Sequence, residues 1–286
     1  MMILFKQYLR FLKIKYNFFP PKKCDLLIFD KTGSQHFKRY FENIKNDVLA
    51  TRFETINIFI LIRALIKYNL KFKPFYYFIE YIKFTKCKIV LTFIDNYINF
   101  YKLKNYIQKV NFISIQNGMR TKFFFEELNK HSDLKVDYFL SFNDNYSKKF
   151  SEYIEGDFTT IGSFVSNQVS ISKKKIGYLN YISSGPESFN KMRIFQNKSV
   201  EYEKYFHPEK FCINLLKSYC TNNNLKLNIL GRASSESKKK VELKFYSNLL
   251  KDFNFNYVDF KKQNREETYN ICDNADLNIC IYSALG

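Results

Sequence analysis

The sequence predicts an α/β chain of two doubly wound lobes, the second of them cut short. Three observations lead there. The 286 residues exceed what one minimal core needs, and roughly 100–200 residues per domain makes two lobes the natural division. Short apolar runs of strand length alternate with helical stretches, stop, and then alternate again, which is the pattern of βαβ units around a parallel sheet. Between the two series lies "FTTIGSFVSNQVSISKKK", Phe158 to Lys175, rich in Ser, Gly and Lys and without periodicity, as expected of a crossing between domains. The expected layout is an N-terminal lobe over 1–160, a linker over 161–175 and a C-terminal lobe over 176–286.

Each element has its own warrant. The opening "MMILFKQYLRFLKIKYNFFPPKKCD" is interrupted by Lys6, Arg10, Lys13 and Lys15, so it cannot supply the ~20 apolar residues of a spanning helix, and no cleavage-site pattern follows. It reads either as a packed helix with an exposed lysine face or as a basic, aromatic helix on an anionic membrane surface. After Pro20-Pro21 the run "CDLLIFD" is a buried strand, followed by the loop "KTGSQHF". "NIFILIRALIKYNL" is a buried helix too short and too charged to span. "KIVLTFIDN" is a second strand leading into a helix over Tyr97 to Gln108. "NFISIQNG" and "VDYFLSFND" are further strands, the latter followed by the helical "NYSKKFSEYI". In the second lobe "IGYLNYIS" is a strand, followed by a polar loop to about Val200 and a helix from Glu203 to Cys220. "LKLNILGRA", a helix near Lys239 to Leu250, "NYVDF", a helix from Arg265 to Cys272 and "ADLNICIYS" complete the series. The chain stops at "YSALG", where a doubly wound domain would turn into its next helix, so the second lobe is expected to be incomplete.

Composition excludes several classes. Hydrophobic residues are 46% and aromatics 19% of the chain, enough for a sizeable core and against disorder. Lys and Arg number 46 against 27 Asp and Glu, a net charge of +19, which could favour nucleic acid, anionic lipid or a phosphorylated substrate. Only 8 of the 46 cations are Arg, and Asn, Ile, Phe and Tyr are also abundant. All are residues with A/T-rich codons, so the charge by itself specifies no partner, and no nucleic acid is expected in the absence of an Arg-rich run or an RNA-binding aromatic motif. Six cysteines without a C-x-x-C pair read as buried hydrophobes of a reducing cytoplasm. His36, His131 and His207 have no partners at metal-ligand spacing, so neither metal nor cofactor is expected.

The polar words follow strands, where parallel sheets bind ligands. In "FISIQNGMR" the amides of Gln116 and Asn117 each offer donors and an acceptor suited to hydroxyl groups. Gly118 would permit a positive φ and close backbone approach. Arg120 offers a planar fork for phosphate or carboxylate. The alternative is a capped turn at a strand end, where Asn-Gly is common. Asp95 stands between a strand and a helix, either as an N-cap or as a general base, with Asn96 beside it. Lys31, Gly33, Ser34 and His36 form a loop without the spacing of a P-loop or dinucleotide fingerprint. His36 is either structural or a base.

In order along the chain, "VLTFIDNYINFYKL", "FISIQNGMR", "ILGRASSE" and "YSALG" resemble words of a bacterial surface-carbohydrate biosynthesis family of GT-B-like transferases, of capsule and lipopolysaccharide type. More loosely they resemble capsule-type Kdo transferases and glycerophosphotransferases of wall-polymer synthesis. The resemblance spans Asp25 to Gly286 and implies two Rossmann-like lobes, the N-terminal one holding the acceptor and the C-terminal one a nucleotide-activated sugar, CMP-linked sugars included. It implies catalysis by Asp95 or His36 and substrate binding by Asn96, Gln116, Asn117, Gly118 and Arg120. Donor phosphate or nucleotide would be bound by Gly231, Arg232, Ser234, Ser235, Glu236, Ser283 and Gly286. Ser-Ser-Glu reads equally as a helix start. In that family the last word runs on into an acidic residue on a helix; here it ends at Gly286. The implied partners are a nucleotide sugar and a glycan or lipid-linked glycan acceptor, in the cytoplasm or at the inner face of its membrane. The alternatives are a nucleotide-sugar 2-epimerase and a basic protein that binds nucleic acid or anionic membrane without catalysis.

Overall fold

The computed structural model describes residues 14–37, 40–70, 73–168, 177–185, 193–195, 198–200, 202–233, 235–259 and 265–281. Residues 1–13, most of the stretch expected as a basic helix, and the terminal "YSALG", Tyr282 to Gly286, lie outside them. Contacts divide the chain into Met1–Phe164 and Val165–Gly286.

The first unit carries a six-stranded parallel sheet in the order β3-β2-β5-β6-β7-β8, with β2 Leu26–Phe29, β3 Asn46–Leu49, β5 Ile89–Thr92, β6 Asn111–Ile115, β7 Lys135–Ser141 and β8 Glu155–Thr160. The strands β1 (Lys15–Asn17) and β4 (Thr55–Asn57) pair separately. β2 is buried at every position, as a strand covered on both faces must be. Leu27, Phe29, Val90, Phe112 and Phe139 pack into one core with residues of α1 (Ile58–Lys67), α2 (Pro74–Thr85), α3 (Ile98–Leu103), α4 (Lys122–Leu128) and α5 (Asp144–Ser151). The core is built from aromatic edges, with Phe29 against Phe78 at 5.5 Å and Phe100 at 5.3 Å, an arrangement the ring quadrupoles favour. Alternate residues of the strands, among them Leu91, Ile113, Ile115 and Leu140, line an apolar groove of ≈ 830 Å³ with Phe37, Phe41 and Phe164. Glu80 on α2 is fully buried and bonded by Arg63 at 2.8 Å and Lys67 at 2.7 Å, both on α1, which fixes the two helices against each other.

Several elements lie where the chain shows no apolar rhythm. β8 is an exposed edge strand, so "FTT", expected at the start of the crossing, completes the first sheet. The polar loop before Val200 contains an antiparallel pair, β10 (Arg193–Phe195) with β11 (Lys198–Val200). Edge strands and short hairpins need no buried face, and hence no alternating pattern.

The second unit has a four-stranded parallel sheet, β13-β12-β9-β14, with β9 Tyr178–Ile182, β12 Lys226–Gly231, β13 Phe255–Asp259 and β14 Leu277–Cys280. The helices α6 (Tyr202–Asn223), α7 (Glu236–Leu250) and α8 (Arg265–Asn274) connect them. Leu179, Tyr181, Ile213, Leu227, Ile229 and Tyr246 form its core. One row of this sheet is polar: Asn256, Asn228, Asn180 and Asn278 stand in register across all four strands. Each amide bonds its neighbour, Asn256 Nδ2 to Asn228 Oδ1 at 3.2 Å, Asn228 Nδ2 to Asn180 Oδ1 at 2.9 Å and Asn180 Nδ2 to Asn278 Oδ1 at 3.0 Å. Such a ladder is satisfied only in this register, because a one-residue slip would turn the amides to the other face.

Candidate functional site

In the first sheet the strand order reverses between β2 and β5. Ligands of open α/β sheets bind in the crevice beyond the carboxyl ends at such a switch point. The residues there are Asp30 to His36 after β2 and Phe93 to Asn96 after β5. Asp30 takes a positive φ of 87° and is nearly buried. Its carboxylate accepts from Thr32 N at 2.6 Å and from the Thr51 hydroxyl at 2.6 Å, which ties down the turn. Gly33 also has φ 86°, and a Cβ there would lie 2.7 Å from the Phe93 ring. The buried His36 ring sits 5.2 Å from that same Phe93 ring.

Asp95, Gln116, Asn117, Gly118 and Arg120 come together, but chiefly to bind one another. Asp95 is fully buried. Its Oδ2 accepts from Arg120 Nε at 2.8 Å, and its Oδ1 accepts from Arg120 Nη2 and from Asn117 N at 3.1 Å. The same Nη2 donates to Asn117 Oδ1. Burial raises the Asp95 carboxyl above its ordinary value against the opposing pull of Arg120 and the Asn117 N–H. Beneath it the Tyr101 hydroxyl donates to the Asp95 carbonyl at 2.6 Å and meets Ser114 Oγ at 3.0 Å. Gln116 Nε2 donates to the Gly118 carbonyl at 3.0 Å, and Gln116 Oε1 accepts from Phe142 N at 2.9 Å.

Two expectations are corrected here. Asp95 does not cap the following helix, whose N-cap is Tyr97 without a side-chain bond; its carboxylate is drawn instead to the Arg120 fork. Gly118 is not among the residues of positive φ. A Cβ on it would meet only Arg120 Nη1, at 3.5 Å, so no left-handed turn demands the glycine. Asn96 and Met119 are exposed and Asn117 half-buried, so they form the accessible rim of this edge.

In the second sheet the order reverses between β9 and β14. The strand ends at Ser183–Gly185 and at Arg232–Ala233 are joined by a carboxylate that no sequence pattern singles out. Glu242, on α7 and fully buried, accepts at Oε1 from Ser183 Oγ and from Arg232 N at 3.1 Å. Its Oε2 accepts from Ala233 N at 3.0 Å and from the Tyr257 hydroxyl at 2.7 Å. Gly231 leaves room for that tyrosine: a Cβ on it would lie 1.9 Å from Tyr257 Oη. Glu209 on α6 is also buried and accepts from Ser184 N at 3.3 Å and bonds Tyr246 Oη. Ser235 caps α7, accepting from Lys238 N at 3.5 Å, and Glu236 stands in the first turn. The Arg232 side chain is exposed on the loop. Ser234, Ser283 and Gly286 lie outside the described residues. Among the described residues no group of three or more His, Cys, Asp or Glu could hold a metal ion, and no helix is long and apolar enough to cross a membrane.

With both strand-end edges in place, comparison with known proteins gives a family. Residues 113–286 match a family model described as "putative O-antigen biosynthesis protein", a span that runs from β6 through the whole second unit. The chain belongs to that O-antigen biosynthesis family. No curated protein matches the sequence. Among solved structures, the UDP-GlcNAc 2-epimerase of Methanocaldococcus jannaschii is similar at 11% identity and a TM-score of 0.46, covering 89% of this chain and 77% of that one. MurG of Acinetobacter baumannii is similar at 12% identity and a TM-score of 0.43, covering 91% and 71%. The α/β architecture of this O-antigen biosynthesis family member rests on its own two parallel sheets.

Proposed function

We propose that the chain is a GT-B-type glycosyltransferase that moves a sugar from a nucleotide-activated donor, CMP-linked sugars among the candidates, to a growing surface polysaccharide. The family's place in O-antigen biosynthesis supports the pathway. The observation that carries the reaction type is the strand-end edge of the second unit. There the exposed Arg232 stands on a loop whose backbone is fixed by Glu242, next to the switch-point strand β9. A guanidinium held on a rigid loop suits a donor phosphate, neutralising the charge that develops on the leaving group. The first unit is the acceptor side in this reading. The rim residues Asn96 and Asn117 meet the acceptor's hydroxyls, and the Asp95–Arg120 pair holds the rim in shape. His36, beside Phe93 at the switch point, is the candidate to activate the acceptor hydroxyl.

Calorimetric titration with CMP, UDP, GDP and CDP at two salt concentrations tests the reading. Saturable binding of one nucleotide, weakened about tenfold or more by Arg232→Ala, is expected from a charge-assisted phosphate contact. Equal, salt-labile binding of all four would instead mark the +19 charge as a nonspecific polyanion surface. Incubation with a bound donor and no acceptor separates an epimerase, which would return an altered sugar still on its nucleotide.

A further inference from the structure

Glu209, Tyr246, Ser183 and Glu242 are joined in a chain of three hydrogen bonds: Glu209 Oε1 to Tyr246 Oη, Tyr246 Oη to Ser183 Oγ at 2.8 Å, and Ser183 Oγ to Glu242 Oε1. Three bonds need three protons. The two hydroxyls supply one each, and the third must come from a carboxyl.

We infer that this buried chain holds one carboxyl proton, on Glu209, and that the resulting relay positions the two strand-end loops of the second unit. Donor counting assigns the proton. Glu242 accepts two backbone N–H groups and two hydroxyls, the surroundings of an anion. Glu209 receives one backbone N–H, and its Oε2 is buried without a partner. With the proton on Glu209 Oε1, that group donates to Tyr246, Tyr246 to Ser183 and Ser183 to Glu242. Ser183 Oγ then also accepts from Gly185 N at 3.0 Å, so every proton along the relay is used. The groups facing Glu209 are Tyr181 of β9, Ser184 of the loop after it, Tyr246 of α7 and Cys212 of its own helix, none of them a cation. Tyr181 and Ser184 offer only neutral hydroxyls beside it, and no positive charge among these groups offsets a second negative one. Burial accordingly raises the Glu209 carboxyl.

The relay reaches both loops. Glu209 holds Ser184 N, Ser183 holds Gly185 N, and Glu242 holds Arg232 N and Ala233 N. Its consequence for donor binding rests on the transferase reading above, while the proton itself does not. The test compares Glu209→Gln, Glu209→Ala and Glu242→Gln. Infrared spectroscopy of the whole chain at neutral pH should show a buried neutral-carboxyl C=O band that Glu209→Gln removes. Glu209→Gln, whose amide donates as the acid does, should keep nucleotide affinity. Glu209→Ala should lose it by about tenfold, the scale of an orphaned buried partner. Glu242→Gln sets an amide N–H₂ against donors and should weaken binding or folding. Since the folded carboxyl is raised, wild-type stability should be full below the ordinary glutamate range and fall as pH climbs through the raised value, a slope absent in Glu209→Gln. A wild type without the band, or a band that survives in Glu209→Gln, overturns the assignment of the proton even if no nucleotide binds. Loss of affinity in Glu209→Gln equal to that in Glu209→Ala overturns the positioning role.

Discussion

Asp95 and Arg120 stand 25 residues apart in the sequence, and at the residue scale they behave as one group. The carboxylate is fully buried and the Arg120 side chain is only 12% exposed, so removing either partner strands the other. Asp95→Asn and Arg120→Leu should each cost about 3–5 kcal/mol in urea unfolding, with a large coupling in the double mutant. A loss of transfer activity without loss of stability in Asp95→Asn would instead make it a base. The glycines divide in the same way. Gly231→Ala must displace the Tyr257 ring and should destabilise by roughly 1–3 kcal/mol, whereas Gly118→Ala meets one atom at 3.5 Å and should change stability by about 0.5 kcal/mol or less. The sequence brought out Gln116, Asn117 and Arg120 through residue chemistry at a strand end. It gave no sign of Glu242 or Glu209, because a glutamate on a lysine-rich helix looks the same whether it faces water or a buried hydroxyl.

Elements were legible where they bury an apolar face. β2 and β5 follow from uninterrupted apolar runs, β6, β9 and β12 from short apolar runs broken by one polar residue each, and α1 and α7 from longer helical stretches. β3 and β8, at the edges of their sheet, did not, and neither did α2, whose "PFYYFIEYIKFT" is too continuously apolar to show a period. The asparagine row is a property of the second sheet that single strands conceal, since each contributes one unremarked Asn. Replacing Asn180 by Leu leaves Asn228 Nδ2 without its acceptor and Asn278 Oδ1 without its donor. It should cost about 1–3 kcal/mol, and hydrogen exchange should report the loss first at the β9–β14 pairing.

Over the whole molecule, two core clusters lie each within one unit, around Phe29 and Phe139 in the first and around Tyr181 and Tyr246 in the second. Unfolding should therefore depart from a single transition in calorimetry, and Gly231→Ala should lower the transition of the second unit while leaving the other in place. The fold class, the alternation of strands and helices and the strand ends at which polar residues gather were legible in the amino-acid sequence. These depend on local apolar patterning, which the chain displays in order. Packing in three dimensions settled which polar groups bind one another and which remain on the rim. Asp95 turned to Arg120 instead of capping a helix, and two glutamates from different helices were linked through Tyr246 and Ser183, because partners across a sheet are chosen by register and packing that no local stretch encodes.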